Sequence, residues 1–325
     1  MVAARICRIA APGGPEVLQW HDAEIGAPGP GELLIRHTAV GLNYIDTYHR
    51  TGLYPLPLPS GIGLEAAGVV EAVGEGANFT VGDRIGYCWG PIGAYATHRL
   101  LPAALAVKLP DGVSDQTAAA GMLKGCTTEF LVERCAKVQA GQTVLVQAAA
   151  GGVGLLLVQW LKAIGATVIG TAGGAAKTAL AAQHGADHVI DYDIADVAKS
   201  VRELTGGRGV DTVIDGVGKA TWEGSLDSLR KRGLHISYGN ASGPIGQVDL
   251  GILARKGSLY TTRPTLFDYY TNRAEIEAGT ARLFDLIASG KVKVRVDQTY
   301  ALEDVAQAHR DLESRKTTGS TVLLP

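Results

Sequence analysis

Ala149, Gly151 and Gly154 lie in the run T-V-L-V-Q-A-A-A-G-G-V-G, Thr143 to Gly154, at the spacing of a turn that can hold a phosphate. A helix starting at such a turn presents unpaired backbone N–H groups and the positive end of its macrodipole, which together attract an anion. Against the G-x-G-x-x-G dinucleotide fingerprint the first glycine is an alanine, so the motif points to a dinucleotide but is degraded. The residues after the next strand narrow the nucleotide. An acid there would accept from a ribose 2′-OH and repel a 2′-phosphate. The chain has Thr171, Ala172, Gly173 and Gly174 instead, then Lys177, a point charge suited to a phosphate. Tyr192 follows the third strand, where its ring suits adenine and its hydroxyl a phosphate. These types favour NADPH over NADH; the bland alternative for Lys177 is a solvated residue in a first helical turn.

The positioning elements follow from periodicity. Thr143 to Val146 reads as a strand, Leu155 to Ile164 as a helix closed by Gly165, and Ala166 to Thr171 as a second strand, which completes a βαβ unit. Helix-like Lys177 to Gln183, Ala195 to Thr205 and Trp222 to Arg230 then alternate with strands around Val189, Val213 and Ile236. Strands separated by helices predict an α/β domain with a doubly wound parallel sheet.

Length and composition bound the rest. With 325 residues, 46% of them hydrophobic, the chain can bury two ordinary cores. The formal net charge is −2, and the basic residues read as scattered in ones and twos, so no nucleic-acid partner is expected. The start alternates like a strand without a secretory apolar segment, and glycines and Lys162 interrupt the longest apolar stretch; no membrane span is expected, and the expected compartment is the cytoplasm. Cys7, Cys88, Cys126 and Cys135 show neither C-x-x-C spacing nor a pairing pattern and read as packed thiols. His184 and His188 are four apart, but Gly185 breaks the helix a metal pair would need. No G-x-S-x-G elbow offers a nucleophile.

Before the nucleotide turn lies a region punctuated by glycine and proline, with strand-like pieces from Glu32, Ala67 and Asp83, which predicts a β-rich domain. Its string G-L-E-A-A-G-V-V-E-A-V-G, Gly63 to Gly74, followed by V-G-D-R-I-G, resembles the medium-chain dehydrogenase/reductase superfamily, whose alcohol dehydrogenases carry G-H-E-x-x-G-x-x-x-x-x-G. Within it, A-A-A-G-G-V-G, G-L-N-Y-I-D-T-Y-H-R-T-G-L-Y at Gly41, G-N-A-S-G at Gly239 and K-G-S-L-Y-T-T-R-P at Lys256 look like the quinone oxidoreductases, the zeta-crystallin branch. The resemblance covers the whole chain. It implies a β-rich GroES-like catalytic domain at 1–124, a Rossmann cofactor domain at 125–264 and a return to the catalytic domain at 265–325. It also implies a homodimer formed through the sheet edge at Lys256 to Thr262, which would be a liability if left bare.

The departures from the zinc enzymes set the expected chemistry. The histidine of G-H-E is Leu64, the first cysteine is replaced near Asn43, and the third ligand would fall around Leu123 or Lys124, with Cys126 displaced from it. No catalytic zinc is expected. Glu65 is retained, either as a polar support of the pocket or as a scaffold carboxylate. With neither metal nor covalent nucleophile, the chemistry would belong to NADPH and the acceptor would be a flat, readily reduced quinone. A donor near a quinone oxygen would stabilise the charge that develops there, and Tyr48, Tyr54 and Asn43 are the candidates; a packing ring is the alternative for each tyrosine. The resemblance further implies that Asn43 and Asp46 approach the nicotinamide, that Gly152 and Val153 meet the pyrophosphate, and that Tyr238, Asn240, Ser242 and Arg263 line the cofactor. Two rival functions remain: reduction of an activated alkene by the same fold, and a non-catalytic NADPH-binding role, structural or RNA-binding.

Overall fold

The aliphatic runs between Thr143 and Thr262 form one six-stranded sheet, in the spatial order His188–Asp191, Thr167–Ala172, Thr143–Val146, Val210–Asp215, Leu229–Ser237, Tyr260–Thr262. Every neighbouring pair is parallel. The central Val144, Leu145 and Val146 are wholly buried, as expected of a strand covered on both faces. The chain lays strands on one side of Thr143–Val146 and then crosses to start again with Val210–Asp215. Ligands of such sheets bind beyond the carboxyl ends of strands at that reversal.

The computed structural model describes residues 1–325 and divides them into two units. The second unit, which holds the parallel sheet, is Cys126–Tyr269 with Ser289–Lys293; the first is Met1–Gly125, Tyr270–Ala288 and Val294–Pro325. Ser289–Lys293 is tied to the second unit by Gln159, whose Oε1 accepts from Lys293 N at 2.8 Å and whose Nε2 donates to Lys293 O at 3.2 Å.

The core of the second unit gathers Leu145, Ile169, Ile190, Val201, Val213, Leu226 and Leu229. Each such side chain contributes roughly 1.5–3 kcal/mol on burial. The helix Gly152–Ile164 buries Leu155 to Leu161 and ends at Gly165, whose φ of 92° is the left-handed cap that glycine supplies.

In the first unit the long strand Glu32–Leu42 is central, pairing antiparallel with Glu65–Val73, His98–Pro102 and Ser320–Leu324. The C-terminal strand Ser320–Leu324 thus completes a sheet begun nearly three hundred residues earlier, and Val296–Ala301 pairs parallel beside it. Leu33, Ile35, Val40, Ile85, Tyr87 and Leu323 form its core. No helix in the chain is long and apolar enough to cross a membrane.

Helix bounds shift by up to three residues from those expected, and two differences have a cause in the pairing. The helix starting at Trp222 ends at Ser228, not Arg230, because Leu229 pairs with Val210 and is wholly buried as the first residue of a strand. Lys291 to Val296, K-V-K-V-R-V, alternates in polarity and from that period predicts a strand, but only Val296 joins a ladder, in Val296–Ala301. Val292 is buried while Lys291, Lys293 and Arg295 are exposed, so the period-two pattern reports alternating burial outside any ladder.

Candidate functional site

In the second unit the glycine turn is made by the backbone. Gly151 is the N-cap of Gly152–Ile164, and the helix's first backbone bond runs from Leu155 N to Gly151 O at 2.9 Å. The N–H groups of Gly152, Val153 and Gly154 therefore point beyond the helix start. The glycines differ in why they are glycine. A Cβ on Gly154 would collide with the carbonyl of Ala148, so this glycine lets helix and strand meet. A Cβ on Gly151 would come no nearer than 3.4 Å, so the protein itself leaves room there. Ala149, in the place of the first glycine, is accommodated by Gly170, where a Cβ would lie 2.8 Å from the Ala149 methyl. Ala148 holds φ at +53°, a left-handed conformation that a non-glycine residue adopts at a cost on the order of 1 kcal/mol.

A side-chain chain clamps the neighbouring strand ends. Thr171 Oγ1 accepts from Ala148 N at 3.2 Å and donates to Gln147 Oε1 at 2.7 Å. Gln147 Nε2 donates to Ser225 Oγ at 3.0 Å, and that hydroxyl donates to Asp215 Oδ2 at 2.9 Å. The other oxygen of Asp215 accepts from the backbone N–H of Val217 and Gly218. Burial alone would raise the Asp215 pKa, but bonds from His235, Thr221 and Val217 outweigh it and keep the carboxylate ionised.

Tyr192 and Tyr238 lie over glycines. A Cβ on Gly173 would lie 2.8 Å from the Tyr192 ring, and one on Gly216 would lie 2.7 Å from the Tyr238 ring. Gly174 N donates to Asp191 Oδ1 at 3.0 Å. The sequence shows no acid after Thr171, yet folding brings one there from the adjacent strand end, where it is engaged with backbone. Lys177 is in the first turn of the helix Ala175–Gln183 and is half-buried. The Ser242 hydroxyl donates to Val217 O and accepts from Ala220 N, so it ties two loops together. Asn240 O accepts from Gly243 N in the same turn. Arg263 follows the edge strand, is exposed, and donates to Pro264 O at 3.3 Å.

In the first unit the candidate residues sit on the helix Tyr44–Thr51 and its cap. Asn43 is the N-cap, and Asp46 returns to accept its backbone N–H at 2.9 Å. The Asn43 amide has a fixed orientation: Nδ2 donates to Glu65 Oε2 at 2.8 Å and Oδ1 accepts from Lys124 Nζ at 2.8 Å. A flipped amide would set N–H against ammonium and oxygen against carboxylate. Lys124 Nζ is 3.7 Å from Glu65 Oε2, and both side chains are buried. Burial pushes the Glu65 pKa up, opposed by Lys124 and by the bonds from Asn43 and Leu123 N. Asn43, the residue beside Leu64, and Lys124 thus converge, but as an amide, a carboxylate and an ammonium. The buried Leu64 offers no donor, and this set does not fit a tetrahedral zinc.

A second buried chain supports Asp46. Arg50 NH1 meets His309 Nδ1 at 3.0 Å, His309 Nε2 meets Tyr95 Oη at 3.0 Å, and Tyr95 donates to Asp46 Oδ2 at 2.8 Å. Because Arg50 only donates, His309 accepts at Nδ1 and carries its proton on Nε2. Arg50 also pairs with both oxygens of Glu313. Burial pushes Asp46 up to about 7 and His309 down to about 3. Asp46 is wholly buried; its Oδ2 accepts from Asn43 N and from Tyr95, while its Oδ1 has no hydrogen-bond partner. The Tyr48 and Tyr54 rings meet edge-on at 5.2 Å, and Tyr54 N donates to Tyr48 O.

Gln147, Asp215 and Ser225 in one unit, and Tyr95, Lys124, Arg50 and His309 in the other, were not expected from sequence. Asp215 ends an apolar strand at the reversal, which is a readable signal. The others carry none, since their partners lie 10 to 78 residues away in the second unit and 49 to 263 in the first, at no periodic spacing.

Residues 29–111 match the model of the alcohol dehydrogenase GroES-like domain, and 184–323 that of the zinc-binding dehydrogenases. The chain is 51% identical to a quinone oxidoreductase of Pseudomonas aeruginosa over 99% of this chain and 100% of that one. A 2-haloacrylate reductase of a Burkholderia species is 46% identical, with 96% of each chain covered. Among solved structures, the Escherichia coli quinone oxidoreductase complexed with NADPH superposes with a TM-score of 0.97 at 46% identity, covering 99% of this chain and 100% of that one.

Proposed function

Because the chain belongs to the quinone oxidoreductase family of medium-chain dehydrogenase/reductases, we propose that it reduces small quinones with NADPH and without a metal. The observation that carries this reading is the full-length likeness to quinone oxidoreductases, one of them solved with NADPH. NADPH, when bound, supplies the reducing equivalents. The second unit fits it: the amides of Gly152, Val153 and Gly154 would hold the pyrophosphate, and Gly151 leaves space for it to approach. Gly173, Gly174, Lys177 and Tyr192 would take the adenosine end and its 2′-phosphate, and Tyr238, Asn240 and Arg263 the rest. Ser242 shapes that wall through its loop bonds.

The first unit would treat the acceptor. Lys124 and Glu65 use the Asn43 carbonyl oxygen and one of its two N–H bonds, which leaves the second N–H, in a fixed direction, to meet an oxygen gaining negative charge. Tyr48 and Tyr54 are further donors. Asp46 is a positioning residue, since its carboxylate holds the Asn43 backbone. The exposed Tyr260 on the sheet edge Tyr260–Thr262 suits pairing with a second copy, so the protein is read as a homodimer. Four cysteines without a disulfide, three of them buried, suit the reducing cytoplasm.

The 2-haloacrylate reductase relative favours one second reading, reduction of an activated alkene. NADPH oxidation is followed with 1,4-benzoquinone, a naphthoquinone, 2-chloroacrylate and an alkenal. The expected result is the highest kcat/KM on a quinone. A higher value on 2-chloroacrylate or the alkenal moves the protein to the second reading, and oxidation with none of them makes it a binder.

A further inference from the structure

Two residue steps along one strand of the second unit, Val210 to Thr212, are matched by five along its neighbour, Leu229 to Leu234. The surplus forms a bulge at the amino end of Leu229–Ser237, and its residues are Arg230, Lys231, Arg232 and Gly233. The bulge is held in place. Arg232 takes φ +58° while its N–H donates to Gly257 O at 2.8 Å, and Arg230 Nε meets Asp211 Oδ1 at 2.6 Å. Bulges that re-aim side chains often serve a site.

Facing the bulge, Arg202 spends its guanidinium on the carbonyls of Gly207, Arg208, Asp227 and Leu229, fixing the adjoining loop. Arg202, Arg230, Lys231 and Arg232, with Arg208, Arg255 and Lys256, line an open recess of about 760 Å³. Residues that read as scattered along the chain are thereby gathered on one wall. The carboxylates present do not balance them: Asp211 serves Arg208 and Arg230, Asp249 serves Arg255, and Asp227 serves Lys256. Lys231 and Arg232 are exposed and make no ion pair. Like charges gathered in a recess repel unless an anion joins them. The recess lies at the amino ends of the strands, whereas the glycine turn lies at their carboxyl ends, so it is no part of the cofactor site.

We propose that this recess binds a small polyphosphate anion, its guanidinium and ammonium groups donating to several phosphate oxygens at once. The volume suits a compact ligand of that kind. The test uses the full-length protein saturated with NADPH, titrated calorimetrically with inorganic tripolyphosphate. One binding event per chain is expected, weakened at least tenfold in Lys231→Glu and in Arg232→Gly, the latter chosen because glycine accepts the left-handed backbone. Both variants should bind NADPH and turn over quinone as the parent does, which also shows that they fold; Lys231→Ala serves if Lys231→Glu does not. The proposal is overturned if tripolyphosphate binds no more tightly than sulfate, if the substitutions leave its affinity unchanged, if it competes with NADPH, or if a single-stranded oligonucleotide binds where tripolyphosphate does not.

Discussion

At the glycine turn of the second unit a ligand would meet backbone, whereas around Asn43 in the first unit it would meet a side chain held by other side chains. The turn needs four consecutive residues and one strand-to-helix geometry. The Asn43 site needs Glu65 and Lys124, 22 and 81 residues away, and, behind Asp46, Tyr95 and His309. A backbone-built site tolerates the loss of one motif residue if space is found elsewhere, as Gly170 finds it for Ala149. A side-chain network depends on every charge being answered, because an unanswered one stays buried.

The largest effect is expected from Lys124→Met. Removing the ammonium leaves Glu65 buried without its countercharge, so stability should fall by about 3–5 kcal/mol, read as a lower denaturation midpoint. Lys124→Met with Glu65→Gln should recover much of that loss. If the single variant is as stable as the parent, the network is not electrostatic support.

At the adenosine end, Lys177→Ala should weaken NADPH by about 1.5–3 kcal/mol and leave NADH nearly unchanged, since only the 2′-phosphate loses a charged partner. Fluorescence titration with both cofactors checks it. Equal weakening would remove Lys177 from the phosphate.

The two glycines of the turn can be set against each other. Gly154→Ala drives a methyl into the Ala148 carbonyl and should cost about 1–3 kcal/mol of stability as well as NADPH affinity. Gly151→Ala should leave the melting temperature alone and weaken NADPH. Equal melting temperatures for the two variants would show that neither glycine serves the fold.

Acid sharpens the contrast from the other side. The folded pKa of His309 lies at about 3, below its usual 6.5, so its contribution to stability is present above 6.5 and is lost as pH falls towards 3. Asp46, raised from 3.8 to about 7, has the opposite sign: its contribution is present below 3.8 and is lost as pH rises through 7. His309→Gln keeps Asp46 and removes one proton, so its urea midpoint should fall less steeply than the parent's from pH 6.5 to 4.5. The difference approaches about 1.4 kcal/mol per pH unit. Parallel profiles would mean that His309 is not held neutral.

The smallest effect is expected from the tyrosines. Tyr48→Phe or Tyr54→Phe deletes a donor and keeps the ring. If that donor acts on the acceptor, kcat and kcat/KM should both fall on the order of tenfold. Full rates in both variants, with several quinones, would reduce the pair to edge-on packing.

The parallel sheet, its strand and helix order and the glycine turn are legible in the residues alone, because hydrophobic period, glycine and strand-end position are local properties that survive without neighbours. The family resemblance likewise rested on strings of contiguous residues, from Gly41, Gly63, Gly239 and Lys256. Tertiary structure alone decided that Asp191 reaches the Gly174 amide, that Lys124 and Glu65 orient Asn43, and that His309 stands behind Asp46. It also decided that K-V-K-V-R-V is not a strand and that scattered arginines share one wall. Each of these depends on which distant segments fold together, and a hydrogen bond or ion pair between them leaves no periodic mark in either segment.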